Sequence, residues 1–256
     1  IHTIRKIYPD PDQIKIAAEK IKNSNQPIII SGGGVLYAEA EKELSMFAKK
    51  HNIPVTQTVM GIGVMDKDDP YNIGPIGCLG VGGSNSLSKD TDLALAIGTK
   101  LGDFTTGSWS NFHNPDFKLV SINAARFDVT KHRATPVVSD AKIGLRELTK
   151  KLDDWKAPAK WYERARKEAK EWDQYVAKAS GPTNQELPTY AHAVGAVYRN
   201  ADPSDVVVTA AGGLVGEAVQ IWKPKQINTF ETEWGFSCMG YEISGALGMK
   251  MAKPDQ

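Results

Sequence analysis

The chain has 256 residues, of which 41% are hydrophobic and 24% charged. That is enough length for a sizeable core, as one domain plus part of another at about 150 residues each. Lys and Arg number 31 against 30 Asp and Glu, a net charge of +1, so no electrostatic footing exists for nucleic acid or an anionic membrane as partner.

The elements follow in chain order. Residues 12–22 carry Ile14, Ala17, Ala18 and Ile21 on one helical face. Pro27-Ile28-Ile29-Ile30 reads as a buried parallel strand, and Ser31-Gly32-Gly33-Gly34 turns the chain. A helix with Tyr37, Ala40, Leu44, Phe47 and Ala48 at intervals of three and four comes next, then a strand over 54–58. A glycine-dense stretch fills 61–83. Strands are predicted at 92–97, 118–122 and 136–138, and a closing helix at 142–152. Strands alternating with helices imply parallel strands joined by right-handed crossovers. The expected fold class is α/β: a Rossmann-like, doubly wound parallel sheet of about six strands over residues 1–152, with helices on both faces.

Residues 153–185 read as a linker. Trp161, Ala165, Ala169, Trp172 and Val176 form one apolar stripe on a single charged helix, and Gly181-Pro182 ends it. Residues 186–256 start a second α/β unit: a helix at 190–198, a buried strand at 205–210, a glycine turn into a helix through 222, a strand at 226–230, a loop at 231–240, and a helix rich in small residues (Ser244, Gly245, Ala246, Gly248). One strand–helix–strand–helix unit cannot close its own sheet. The chain begins at Ile1 and ends on Lys253-Pro254-Asp255-Gln256, a turn that should feed another element. Both ends are expected to be internal cuts.

Most motifs fail their functional test. Gly32-Gly33-Gly34 sits where a dinucleotide fingerprint would, but the third glycine position is Tyr37 and no acid closes the next strand at Gln57-Thr58. A tight turn that needs positive φ explains the triplet better than a nicotinamide site. The glycines of 61–83 fit either a flat cofactor or an irregular surface loop. Cys78 reads as a buried small residue rather than a nucleophile. His2, His51, His113, His132 and His192 are scattered without ligand spacing, and Cys78 and Cys238 make neither a metal site nor a disulfide framework. A reduced cytoplasm is the expected setting. No apolar run reaches the ~18 residues of a membrane span, and no signal peptide stands at the start.

Two strings remain: Ala210-Ala211-Gly212-Gly213-Leu214, where a strand opens into a helix and favours an anion, and Glu233-Trp234-Gly235-Phe236-Ser237-Cys238-Met239-Gly240 ahead of the small-residue helix. Helix packing explains the glycines, but not a loop that holds Trp, Cys and Met together. With Asn52-Ile53-Pro54-Val55 and Ile97-Gly98-Thr99-Lys100-Leu101, these strings resemble the thiamine-diphosphate enzymes related to acetolactate synthase. The run Trp234 to Gly245 is similar to the branch that opens a cyclic 1,2-diketone with water in inositol breakdown.

The resemblance implies a complete middle domain and the first part of a diphosphate-binding domain. It implies that Gly212, Gly213 and Leu214 form the first turn around the diphosphate of thiamine diphosphate. Met239 would prop the cofactor in its bent form, beside Cys238. Ser237 would stand where relatives have glycine, its backbone carbonyl receiving the cofactor's amino group. The Gly-Asp-Gly motif and Asn that hold Mg2+, and the glutamate that activates the cofactor, belong to chain beyond these residues. The chain therefore holds no catalytic residue and no metal ligand, and by itself is expected to be inactive. The whole enzyme would act on a small cyclic diketone as a homodimer or homotetramer. FAD in the middle domain has no supporting motif. The rivals are an acetolactate-synthase-like or decarboxylase member of the same superfamily, and a non-catalytic nucleotide-binding module.

Overall fold

The computed structural model describes residues 5–255; Ile1 and His2, where the first expected domain starts, and Gln256 at the far end lie outside the described residues. The first helix, α1 (Pro11–Lys22), is capped by the Asp10 side chain, which accepts from the Asp12 N–H, and has proline in its first turn. It buries Ile14, Ala17, Ala18 and Ile21, the face its spacing predicts. Strand β1 (Pro27–Ser31) is buried throughout.

The expected helix from Tyr37 onward is instead two. A single turn, α2 (Gly34–Tyr37), stops at Ala38, and α3 (Glu41–His51) restarts after Glu39, whose φ is +52°. Tyr37 falls on the wrong side of that break and is 87% exposed, while Leu44, Phe47 and Ala48 are buried as predicted.

Strand β2 (Val55–Gln57) is followed by a strand hidden in the glycine-dense stretch, β3 (Asn72–Pro75), and by α4 (Gly82–Asp90). The stretch is therefore neither an irregular surface loop nor an open cradle. Strand β3 lies at the sheet edge, where a proline costs no ladder bond. Then come β4 (Leu93–Ile97), α5 (Asp103–Thr106), β5 (Lys118–Asn123), α6 (Arg126–Val129), β6 (Thr135–Val138) and α7 (Ala141–Leu152). The order is β3-β2-β1-β4-β5-β6, and every pairing is parallel. Ile29 stands beside Val55 on one side and Leu95 on the other, and Leu95 beside Val120. One sheet face packs Ile29, Leu95 and Val120 against α1, α3 and α7.

The opposite face packs Ile28, Ile30 and Ala94 against α4 and the linker helix α8 (Ala159–Ala179), which inserts Trp161 and Ala165. Only this first half of the expected stripe is buried; Ala169, Trp172 and Val176 are half-buried. Helix α8 approaches α4 closely, because a Cβ on Gly83 would stand 3.0 Å from the Glu168 carbonyl oxygen.

The second unit holds α9 (Tyr190–Asn200), β7 (Val207–Thr209), α10 (Gly213–Ile221), β8 (Phe230–Thr232) and α11 (Tyr241–Ala252). Strands β7 and β8 pair in parallel as a two-stranded sheet. Two expectations are corrected here. The strand at 205–210 is only half-buried along Val207–Thr209, since a two-stranded sheet covers little of it. The strand at 226–230 begins only at Phe230, because Asn228 has φ +61° and Gln226 O accepts the Thr229 hydroxyl in a turn. The unit docks on the middle sheet through Val215, Ala218, Val219 and Trp222, which pack with Val59 and Ile62.

Candidate functional site

Two turns face each other at the carboxyl ends of β7 and β8. The first passes through Gly212, whose φ of +86° suits glycine, and opens α10 at Gly213 with Leu214 exposed. The second runs from Glu233 to Gly240, which takes φ +93° and opens α11. A Cβ at either glycine would meet no atom within 4 Å, so both backbones stand open.

One side chain joins them. Glu242 Oε1 accepts from the Ala211 N–H at 3.2 Å, and Glu242 Oε2 from the Gly240 N–H at 3.0 Å. Its own N–H, then that of Ala211, then Gly240's hold the carboxyl below the usual range. A second carboxylate, Glu233, folds the loop over itself, accepting from Cys238 N–H at 2.7 Å and Phe236 N–H at 2.9 Å. Those two bonds, Cys238 first, also keep Glu233 below the usual range. The Ala211, Gly240, Phe236 and Cys238 N–H groups are thus taken by the chain's own carboxylates.

The structure brings the sequence-predicted residues into this one region. Gly212, Gly213 and Leu214 lie on the first turn; Ser237, Cys238 and Met239 lie on the second and are exposed. Ser237 has φ +50°, a conformation that glycine enters more readily than serine. Met239 is 89% exposed, so it packs no core in this chain. The Cys238 thiol is pushed above its ordinary value, first by desolvation and then by the Glu233 carboxylate, the opposite of what a thiolate nucleophile needs. Glu233 and Glu242 are the residues that sequence reading missed. No sequence signal pairs Glu242 with Ala211, 31 residues away; only the fold brings them together.

The middle sheet contributes a border. Phe104 meets Trp234 edge to face at 5.1 Å between ring centres, and Phe104 O accepts the Cys78 N–H at 2.7 Å. Cys78, expected to be buried, is exposed; its backbone is tied into the tight turn closed by Gly80 N–H to Gly77 O, which leaves the side chain outside. The Gly32-Gly33-Gly34 triplet is required by close packing and not by a positive φ, which none of the three takes; that part of the turn reading is corrected. A Cβ on Gly34 would lie 2.6 Å from Gly98 Cα, and α2 behind it has only 4 residues. That closeness gives FAD no support.

Comparison with known proteins matches residues 14–148 to the thiamine pyrophosphate enzyme central domain, and residues 210–256 to the C-terminal TPP binding domain of the same enzymes. The chain belongs to the thiamine pyrophosphate enzymes. Within this family it is similar to the 3D-(3,5/4)-trihydroxycyclohexane-1,2-dione hydrolases of Clostridium tetani and Geobacillus thermodenitrificans, each 33% identical over 280 residues. The enzyme of the same name from Lacticaseibacillus casei is 33% identical over 278 residues. Each alignment covers 100% of this chain but only 43% to 44% of the relative. The chain thus spans less than half the length of these thiamine pyrophosphate enzymes. Both turns fall inside the match to the TPP binding domain. Among the described residues no helix is long and apolar enough to cross a membrane.

Proposed function

We propose that this chain is the central part of a thiamine-diphosphate-dependent hydrolase that opens the ring of trihydroxycyclohexane-1,2-dione by carbon–carbon cleavage in inositol breakdown. The observation that carries the reading is the pair of open turns bridged by Glu242, built on the Ser-Cys-Met-Gly-Tyr-Glu string and lying in the match to the TPP binding domain. The names of the aligned relatives support the substrate. Our proposed division places the middle domain at 1–152, the linker at 153–185 and the first part of the diphosphate domain at 186–256. The end of α7 at Leu152 and the single helix α8 that runs from there to the start of the second unit support it.

Bound at the two turns, thiamine diphosphate supplies an electron sink for the breaking carbon–carbon bond. The residues here bind and orient. Gly212, Gly213 and Leu214 would present main-chain N–H groups to its diphosphate. The Ser237 carbonyl would accept from its amino group. Met239 would support the cofactor from this side, and Cys238 would line the loop between them without acting as nucleophile. The Mg2+ ligands and the activating glutamate would come from other parts of the whole protein, the glutamate from a neighbouring subunit of a homodimer or homotetramer in the cytoplasm. The chain by itself has no hydrolase activity. The deciding experiment is turnover of 3D-(3,5/4)-trihydroxycyclohexane-1,2-dione by the whole protein with thiamine diphosphate and Mg2+. Turnover of pyruvate in place of the diketone, or turnover of the diketone by this chain alone, overturns the reading.

A further inference from the structure

Glu242 has one partner that its place on the helix explains and one that it does not. It is the second residue of α11, and Oε2 accepts from the Gly240 N–H at 3.0 Å, an ordinary bond between a helix's first turn and its own cap. Oε1 reaches 31 residues back along the chain to the Ala211 N–H at 3.2 Å, at the mouth of the other turn. Glu233 differs, because its bonds to the Phe236 and Cys238 N–H groups stay within one loop. Glu242 thus ties the two turns to each other, through main-chain donors of the kind that bind a phosphate oxygen.

The charge around the turns makes that carboxylate a poor neighbour for a second anion. Residues 200–222 and 226–249 contain no Lys, Arg or His, while the second segment carries Glu231, Glu233 and Glu242. Glu231 Oε1 lies 3.5 Å from the Tyr241 hydroxyl, at the start of the same helix. Ala211 leads directly into Gly212, Gly213 and Leu214, whose N–H groups would meet the diphosphate in the reading above. Two anions on adjoining donors, with no cation from either segment between them, repel. The Glu242 side chain also has somewhere to go. It is half-buried, and a Cβ at Gly212 or Gly240 would meet no atom within 4 Å, so open space adjoins the turns it bridges.

We propose that Glu242 is a latch on the cofactor site: without thiamine diphosphate its carboxylate occupies the Ala211 and Gly240 N–H groups and holds the turns together, and the incoming diphosphate displaces it. The inference rests on the thiamine-diphosphate reading and deepens it. The latch keeps the empty turns in place, and it lowers the apparent affinity for the cofactor, because only the unlatched fraction is competent to bind.

The test is cofactor binding by the whole protein at fixed Mg2+, read by tryptophan fluorescence, since Trp234 stands on the second turn's loop. Thiamine diphosphate and thiamine are titrated into the parent, Glu242→Gln and Glu242→Ala. Both variants should bind thiamine diphosphate roughly tenfold more tightly, the effect of removing one like charge at a partly exposed site. They should bind thiamine no more tightly than the parent does. Melting with saturating thiamine diphosphate is the second readout, and parent and variants should then melt alike, because the latch is already open.

A parent that binds thiamine diphosphate, with either variant failing to bind it more tightly, overturns the latch and leaves the cofactor reading standing. An equal gain for thiamine does the same, since it would mean a loosened loop rather than a removed charge. A variant that does not fold, or that melts several degrees below the parent with cofactor bound, also overturns the latch, because Glu242 then staples the turns in both states. If none of the three proteins binds thiamine diphosphate, the cofactor reading itself falls, and the latch with it.

Discussion

Met239 separates packing from positioning at the scale of one residue. Truncating a buried methionine costs roughly 2–5 kcal/mol, but this side chain is 89% exposed. Met239→Ala should therefore leave the melting temperature of the chain unchanged. In the whole enzyme it should lower kcat on the order of a hundredfold, the penalty for misplacing reacting groups by about 1 Å. An unchanged kcat per cofactor-saturated enzyme would remove Met239 from the site. Glu242 invites a different measurement. Its lowered pKa means that the carboxylate bridge between Ala211 and Gly240 is present above the ordinary carboxyl range and is lost as pH falls through the folded value. Amide exchange at Ala211 and Gly240 should be slow at neutral pH and fast in Glu242→Gln; equal exchange in both proteins sinks the bridge. The Ser237-Cys238-Met239 string was legible because it is contiguous. Glu242 was not, because its partner Ala211 lies 31 residues away and only the fold pairs them.

His51 shows the same limit. It sits at the end of α3, fully buried, with Nδ1–H donating to Trp155 O at 2.8 Å and Nε2 unpartnered; in sequence it was one of five scattered histidines. Burial is the largest influence and holds its pKa below the ordinary 6.5; the Trp155 carbonyl opposes that, and Lys50 and Lys156 add to it. Above 6.5 the imidazole is neutral in both states and stability is complete. Below 6.5 the unfolded chain takes a proton that the folded chain resists, so stability falls until pH reaches the lowered folded value. Urea midpoints measured between about pH 7.5 and 5.5 should fall more in the parent than in His51→Gln. Parallel profiles would mean that His51 does not titrate differently on folding.

At the scale of elements, hydrophobic runs told the truth wherever both faces of a strand are covered. Pro27–Ser31, Leu93–Ile97 and Lys118–Asn123 were all legible, and the first two are buried at every position. Strand β3 was not, because Gly74 and Pro75 lower strand propensity and the edge position tolerates both. Helix α4 was hidden for a related reason: Gly82 and Gly83 serve close approach to α8, and Ser84 donates to the Ile73 and Gly74 carbonyls of β3, in place of an apolar stripe. Helix α8 was read as lying across something, and Trp161 shows what. Its ring enters the core under β1, and Nε1–H donates to Pro27 O at 2.9 Å. Trp161→Phe should cost about 1 kcal/mol, the net worth of one hydrogen bond; Trp161→Ala should cost about 3–5 kcal/mol, the cavity included. Chemical denaturation gives both figures. If Phe costs as much as Ala, the polar anchor and not the packing holds the linker helix.

Burial is uneven across the whole molecule. In the middle sheet, six strands are covered on both faces. Beyond α9, two strands pair only with each other, and no residue of α11 is buried. Ile243, Leu247 and Met251 are exposed and recur every fourth residue along α11, which is one face of a helix. Two buried hydroxyls, Thr209 Oγ1 and Thr232 Oγ1, sit side by side across the β7–β8 ladder without a partner. Both features fit a half-domain that further chain or a second subunit completes, the partition the sequence suggested when one strand–helix–strand–helix unit could not close a sheet. Regions with few buried apolar contacts open first. Limited proteolysis of this chain should therefore cut within 233–255 well before 11–152, and the surviving piece should keep the cooperative melt of the middle sheet. The exposed stripe should also drive self-association, which sedimentation would register and which Ile243→Lys with Leu247→Lys should reduce. Cleavage spread evenly across both regions would mean that the two-stranded half is as stable as the six-stranded one, and that its exposed helix face needs no partner.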